Sequence, residues 1–163
     1  MTLEAWVRPT TVNSAWRDVI YKGDDIYVLM ATSTPNGRPA AGAKVGATNL
    51  ETFGTANLAA NAWTHLAASY DGATLKLYVN ATQVSSQARN GTIASSTNQL
   101  QIGGDSIYGQ YFSGLIDEIR VYNTALTAAQ ITTDMNTPLS DTIPPTVSAV
   151  TPGQTHSIVE EIA

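Results

Sequence analysis

A chain of 163 residues with 43% hydrophobic side chains is long enough for one domain with a sizeable core, and a charged fraction of 13% is about half the usual quarter, so Ser, Thr, Asn and Gln must carry solubility. A net charge of -5 spread without basic runs argues against a nucleic-acid partner, and the absence of cysteine excludes disulfides and thiolate metal sites. No apolar run approaches the roughly 18 residues of a membrane span, and no basic-then-apolar secretory start is present, so an exported protein would correspond here to a mature piece.

Met1 to Val7 alternates as a strand does, with Leu3, Ala5 and Val7 on one face and Glu4, Trp6 and Arg8 on the other, until Pro9 stops it. Asp18 to Lys22 and Ile26 to Ala31 form a predicted hairpin around Gly23-Asp24-Asp25, whose glycine is expected to supply the positive φ. Pro35 to Pro39 is a second turn, and residues 40–60 are small and polar, with only Val45, Leu50, Phe53 and Leu58 to anchor short strands. Trp63 to Tyr70 and Thr74 to Val79 flank Asp71-Gly72, the best hairpin signal in the chain. Asn80-Ala81 then turns into Thr82 to Ser86, with its positive φ on Asn80 or in a turn of another type. Leu100 to Gly103 is a further strand, followed by the glycine-bearing loop Gly104 to Tyr111, a candidate ligand rim.

Phe112 to Tyr122 carries the strongest strand signal. Alternation places Leu115, Asp117, Ile119 and Val121 on one face and Ile116, Glu118, Arg120 and Tyr122 on the other, so Asp117 is expected in the apolar row. A carboxylate there needs a cation, backbone N–H groups or a metal, because leaving it unsatisfied costs several kcal/mol. Thr127 and Gln130 have capping-box spacing and start a short helix that runs to about Met135. Residues 138–145 read as a Pro-rich linker, and residues 146–163 as a partial strand segment that either opens a following module or donates a strand to a sheet edge.

The pattern Phe112-x-Gly114-x-Ile116-Asp117-Glu118-Ile119-Arg120-Val121-Tyr122-Asn123-x-Ala125-Leu126 resembles the closing strand of bacterial laminin-G-like, concanavalin A-like jelly-roll domains. The runs Trp63 to Gly72, Leu75 to Asn80 and Leu100 to Gly103 come in that family's order, so the resemblance spans about Thr2 to Ile131. It implies an all-β fold, an antiparallel two-sheet jelly-roll β-sandwich with one short helix after the last strand, over residues 1–137. The family has further strands before this start, which implies an excised piece or a sheet edge covered by something else. The resemblance puts Trp6 and Trp63 at core positions, and Thr146 to Pro152 resembles the opening of an immunoglobulin-like module. It also implies a structural calcium near the closing strand, with Asp117 and Glu4 as candidate ligands and Asp24 with Asp25 as an alternative pair. The competing reading gives Asp117 backbone N–H partners and leaves Glu4 solvated.

Glycoside hydrolases of this fold carry Glu, Asp and Glu at alternate positions of one strand, whereas Asp117 and Glu118 are adjacent and face opposite ways. His65 and His156 complete no catalytic set, so an enzyme is not expected. A sugar site would use aromatic faces for stacking and polar groups for hydroxyls. Trp16, Tyr21, Arg38, Tyr108, Gln110 and Tyr111 are the predicted ligand-binding residues, with Tyr27 and Asn13 nearby. The expected function is a non-catalytic carbohydrate-recognition or adhesion module of a larger extracellular or cell-surface bacterial protein, its partner a polysaccharide or a glycoprotein glycan. The alternative is a structural spacer or assembly domain that completes its sheet with a neighbouring chain, and a truncated glycoside hydrolase stands third.

Overall fold

The computed structural model describes residues 1–139, in which ten strands and one helix build two stacked five-stranded antiparallel sheets. The first sheet runs β10 (Gly114–Tyr122), β1 (Thr2–Pro9), β6 (Thr64–Tyr70), β7 (Thr74–Val79), β8 (Thr82–Ala88). The second runs β5 (Thr48–Phe53), β4 (Ala40–Val45), β3 (Tyr27–Thr32), β2 (Arg17–Lys22), β9 (Leu100–Ile102). The chain crosses between sheets to place β1 beside β10 and β2 beside β9, which is the expected jelly-roll sandwich. Its core lies between the inner faces: Leu3, Ala5 and Val7 of β1 and Leu75 and Leu77 of β7 meet Val19, Ile20, Leu29, Ala43 and Leu50 of the second sheet.

Both strong hairpins form as read. The β6–β7 turn is fixed by Asp71, whose Oδ1 accepts the N–H groups of Ala73 (2.9 Å) and Thr74 (2.8 Å) while Gly72 takes φ 94°. In the β2–β3 turn the positive φ falls on Asp24 (66°) and Asp25 (56°), not on Gly23, because a short Asp side chain tolerates the left-handed region. Residues 40–60 are better ordered than their composition implied: β4 and β5 pair from Ala40↔Phe53 to Val45↔Thr48. Val45, Leu50 and Leu58 are buried, but Phe53 faces outward, 39% exposed. Trp63 also departs from its expected core position and is 44% exposed, whereas Trp6 packs edge-on against His65 with ring centroids 5.4 Å apart. The first strand is no open edge, since β1 lies between β10 and β6.

The largest departure is in β10. Trp6 pairs with Asp117 and Glu4 with Arg120, so Glu118 and Ile119 together oppose Ala5 in a β-bulge, with Glu118 at φ 52°. One extra residue shifts the alternation by one. Ile116 and Ile119 therefore both pack on the core, Arg120 is buried, and Asp117 is exposed instead of sitting in an apolar row. Its Oδ1 accepts the Glu118 N–H at 2.9 Å.

The bulge also sets how the first sheet's outer face is closed. Helix α1 (Ala128–Met135) starts on the predicted capping box: the Thr127 N–H donates to Gln130 Oε1 (2.9 Å) and the Gln130 N–H to Thr127 Oγ1 (3.3 Å). It lays Ile131 on Ala67 and Tyr78. The Arg120 guanidinium then donates to the carbonyls of Asp134 (3.0 Å) and Thr137 and to the Glu118 carboxylate (3.0 Å), and the Glu118 carboxylate also accepts the Leu139 N–H (2.7 Å). On this covered face Glu4 and His65 are fully buried, His65 Nε2 3.6 Å from Glu4 Oε2. Residues 146–163 and most of 138–145, with the linker, following-module and strand-donor readings placed on them, lie outside the described residues.

The β7–β8 turn supplies a stability test. Both Asn80 (φ 49°) and Ala81 (φ 59°) are left-handed, as a two-residue turn of this hand requires, and Ala81 meets the steric penalty that glycine escapes. Ala81→Gly should stabilise the domain by about 0.5–1 kcal/mol, read as a rise of a few degrees in thermal melting.

Candidate functional site

The outer face of the second sheet has no helix over it among the described residues, and here the apolar side chains form a floor rather than a second core. Tyr21 of β2, Val28 and Met30 of β3 and Ala40 of β4 are buried together against Trp16. At the centre of β4, Gly42 pairs with Val28 on one side and Glu51 on the other and contributes no side chain. A Cβ there would stand 2.8 Å from Val28 Cγ1, so only glycine keeps the floor flat. The walls rise around it: Trp16, tilted against Phe53 with centroids 6.2 Å apart, at one end, and Tyr108, edge-on to Tyr21 at 6.5 Å, at the other. Asn49, Glu51, Asp25 and Gln110 complete a cavity of about 190 Å³.

The acidic groups are arranged with purpose. Asp18 is fully buried, and neither carboxylate oxygen finds a donor. Burial first, then the carboxyls of Asp105 and Asp25, push it up to about 8, since two carboxyls in contact hold a proton between them more easily than two charges. Asp105 is buried too, and its carboxylate accepts the N–H groups of Tyr108 and, at 3.2 Å, Gln110. The Asp18 N–H donates to the Gln110 carbonyl at 3.0 Å. These bonds pin the loop between β9 and β10 onto β2 and deliver Tyr108 and Gln110 to the cavity. Asp25 accepts the hydroxyls of Tyr21 (3.1 Å) and Tyr108 (3.3 Å). Its charge is the main cause of the raised Tyr108 hydroxyl, and it adds to burial in raising Glu51.

A laminin-G profile described as "Concanavalin A-like lectin/glucanases superfamily" matches residues 1–132. The chain belongs to this superfamily. Mouse pappalysin-1 is 39% identical over 80 residues, a match that takes in 46% of this chain but 5% of that protein. Among solved structures, domain 4 of AbnA, a GH43 extracellular arabinanase from Geobacillus stearothermophilus in complex with arabinotriose, is 22% identical with a TM-score of 0.64, over 82% of this chain and 65% of that one. The CBM40 of Ruminococcus gnavus IT-sialidase bound to α2,3-sialyllactose is 16% identical with a TM-score of 0.64, over 81% of this chain and 80% of that one. At these identities the structural likeness shows a shared fold.

Within this superfamily scaffold, Trp16, Tyr21, Tyr108 and Gln110 come together in the cavity. Arg38 and Tyr111 do not line it: Arg38 sits in the turn after β3, where its carbonyl accepts the Ser33 hydroxyl at 2.7 Å, and Tyr111 is 59% exposed with its ring against Gly104. Tyr27 packs toward the core and Asn13 is exposed. Asp18, Asn49 and Glu51 line the cavity without having been singled out, and Asp25 does so as a hydroxyl acceptor rather than as half of an Asp24–Asp25 metal pair. Reading β5 as an alternating strand would have put Asn49, Glu51 and Phe53 on one face. The Glu4 and Asp117 pair does not fit a hard-cation cage, since Glu4 is sealed against His65 while Asp117 faces water. Among the described residues no three His, Cys, Asp or Glu side chains converge as metal ligands.

The Asp18 carboxyl makes stability depend on pH in a defined direction. Its folded value of about 8 lies above the ordinary 3.8, so between those limits the folded state keeps a proton that the unfolded chain has released. Stability from this group is full below about 4, is lost as pH rises toward about 8, and is flat beyond. Thermal melts in chelator should therefore fall across that window, and Asp18→Asn should flatten the fall; an unchanged slope in the variant would assign it to other groups.

Proposed function

We propose that the domain is a non-catalytic carbohydrate-recognition module that binds a short stretch of glycan in the groove over β2 to β5. The observation that carries this reading is a flat apolar floor walled by Trp16 and Tyr108 and edged by Asn49, Glu51 and Gln110, an arrangement suited to stacking a sugar ring and fixing its hydroxyls. The ligands named for the arabinanase domain and the sialidase module support it as likenesses of fold. Recognition is favoured over hydrolysis because the one strongly perturbed carboxyl lining the groove, Asp18, has both oxygens buried. A place in a larger extracellular or cell-surface protein, in polysaccharide attachment or adhesion, accords with the extracellular arabinanase neighbour.

Glycan-array binding followed by titration of the strongest hit tests the proposal. Tyr108→Ala, at a side chain 56% exposed, should weaken binding about tenfold, the loss of roughly 1.4 kcal/mol of stacking, without lowering the melting temperature. Trp63→Ala, an exposed aromatic outside the groove, should bind as the parent does. A blank array with an intact fold would favour the spacer or assembly role instead.

Calcium belongs in this proposal at a different place from the closing strand. The unpartnered buried oxygens of Asp18, facing Asp105, are a hard-oxygen pair whose charges a divalent cation would neutralise, with carbonyls or water completing its shell. Added calcium should then raise the melting temperature at pH 8 more than at pH 5, where protons compete. An equal melt with calcium and with chelator at pH 8 would remove the cation from the account.

A further inference from the structure

We propose that the groove selects neutral glycans and discriminates against carboxylated ones such as sialic and uronic acids, a step that rests on the sugar-binding reading above. Every ionisable carboxyl or base lining the groove is an acid: Asp18, Asp25 and Glu51, with Asp105 directly behind Asp18. No Lys or Arg lines it. The described ion pairs join His65 with Glu4, Lys76 with Asp71 and Arg120 with Glu118, so none of them neutralises Asp25 or Glu51. Of the bases closest along the chain, Arg17 stands between the lining residues Trp16 and Asp18 but pairs with Thr32 at the start of β2 and does not itself line the cavity, Lys22 turns its ammonium to the Asn98 carbonyl, and Arg38 lies in the turn beyond β3. Lys44 shares the β4 outer face but pairs with Asn49, one step past the Gly42–Glu51 pair at the groove's centre.

The groove's own groups already register this field. Glu51 holds its proton more firmly through burial and the charge of Asp25, and the Tyr108 hydroxyl does so chiefly through Asp25. A carboxylated sugar placed between these side chains would meet the same repulsion in a partly desolvated site, where screening by salt is weakest. A neutral sugar meets the opposite: its hydroxyls donate to carboxylate oxygens of Asp25 and Glu51 in charge-assisted hydrogen bonds. If a divalent cation occupies Asp18 and Asp105, the rim acids Asp25 and Glu51 remain, so the selectivity persists with or without it.

The experiment compares ligands that differ in charge and little else: lactose with 3′-sialyllactose, and methyl-esterified with free trigalacturonate, alongside arabinotriose and an array holding neutral and carboxylated glycans. Binding is measured at low ionic strength, with chelator and again with calcium. The expected result is that hits are neutral, that each bound neutral ligand exceeds its carboxylated counterpart at least tenfold, and that salt narrows the gap. Glu51→Lys, a change at an exposed rim position, should narrow it about tenfold further by raising affinity for the carboxylated member. Carboxylated glycans bound as tightly as their neutral counterparts, and lost in Tyr108→Ala, would overturn the selectivity while leaving sugar recognition standing. Binding of no glycan of either charge would overturn both, and that outcome is distinguished by its silence across the neutral half of the array.

Discussion

A two-sheet sandwich has two outer faces, and the described chain has one helix to cover them. Each sheet here presents apolar groups on its outer face as well as its inner one. On the first sheet α1 resolves this by placing Ile131 over Ala67 and Tyr78. On the second no described element does, and among the described residues Tyr21, Val28, Met30 and Ala40 are buried by one another, by Trp16 and by the loop that carries Tyr108. The groove is the face the helix leaves uncovered. The helix is held on the first sheet by Arg120, which binds the last carbonyls of α1 and the segment after it. Arg120 reaches that position only because Glu118 inserts an extra residue into β10.

Each face also buries a carboxylate, and the two have opposite neighbours. Glu4 lies against His65, an acid beside a base in a site closed to water. Asp18 lies against Asp105, an acid beside an acid, and burial together with that neighbour raises the proton affinity of Asp18 instead of stabilising its charge. The second arrangement occurs where the loop of Tyr108 and Gln110 is tied to β2.

What could be read from the residues was local. The Asp71-Gly72 hairpin, the capping box of Thr127 and Gln130, and the closing strand all announce themselves within a few positions, because turn and cap chemistry is set by neighbours in the chain. The bulge gave no such signal. A residue at φ 52° is usually glycine or asparagine, and Glu118 is neither, so strict alternation places Asp117 in the apolar row, where the structure does not put it. The groove was half legible for a related reason. Aromatics are conspicuous, so Trp16, Tyr21 and Tyr108 were found. Asp18 and Glu51 were not, because an acid flanking an apolar run and an acid on a polar strand face look like solvated residues until β2, β5 and the loop before β10 are brought together.

The placement of rigidity follows from the same geometry. Floor residues sit on central strands with neighbours paired on both sides, so Gly42, Val28 and Tyr21 have little freedom to adapt to a ligand. The wall residues do not share that restraint intrinsically: Tyr108 comes from a loop, and its position is set by the Asp105 carboxylate and the Asp25 acceptor. A loop held by its own buried acid is preorganised, which lowers the ordering cost of binding any ligand there. The acids that organise the wall also charge it. Shape and charge at this groove therefore cannot be varied independently: replacing Asp25 would release the hydroxyls of Tyr21 and Tyr108, whereas Glu51, bonded to neither, is the position where charge separates from architecture.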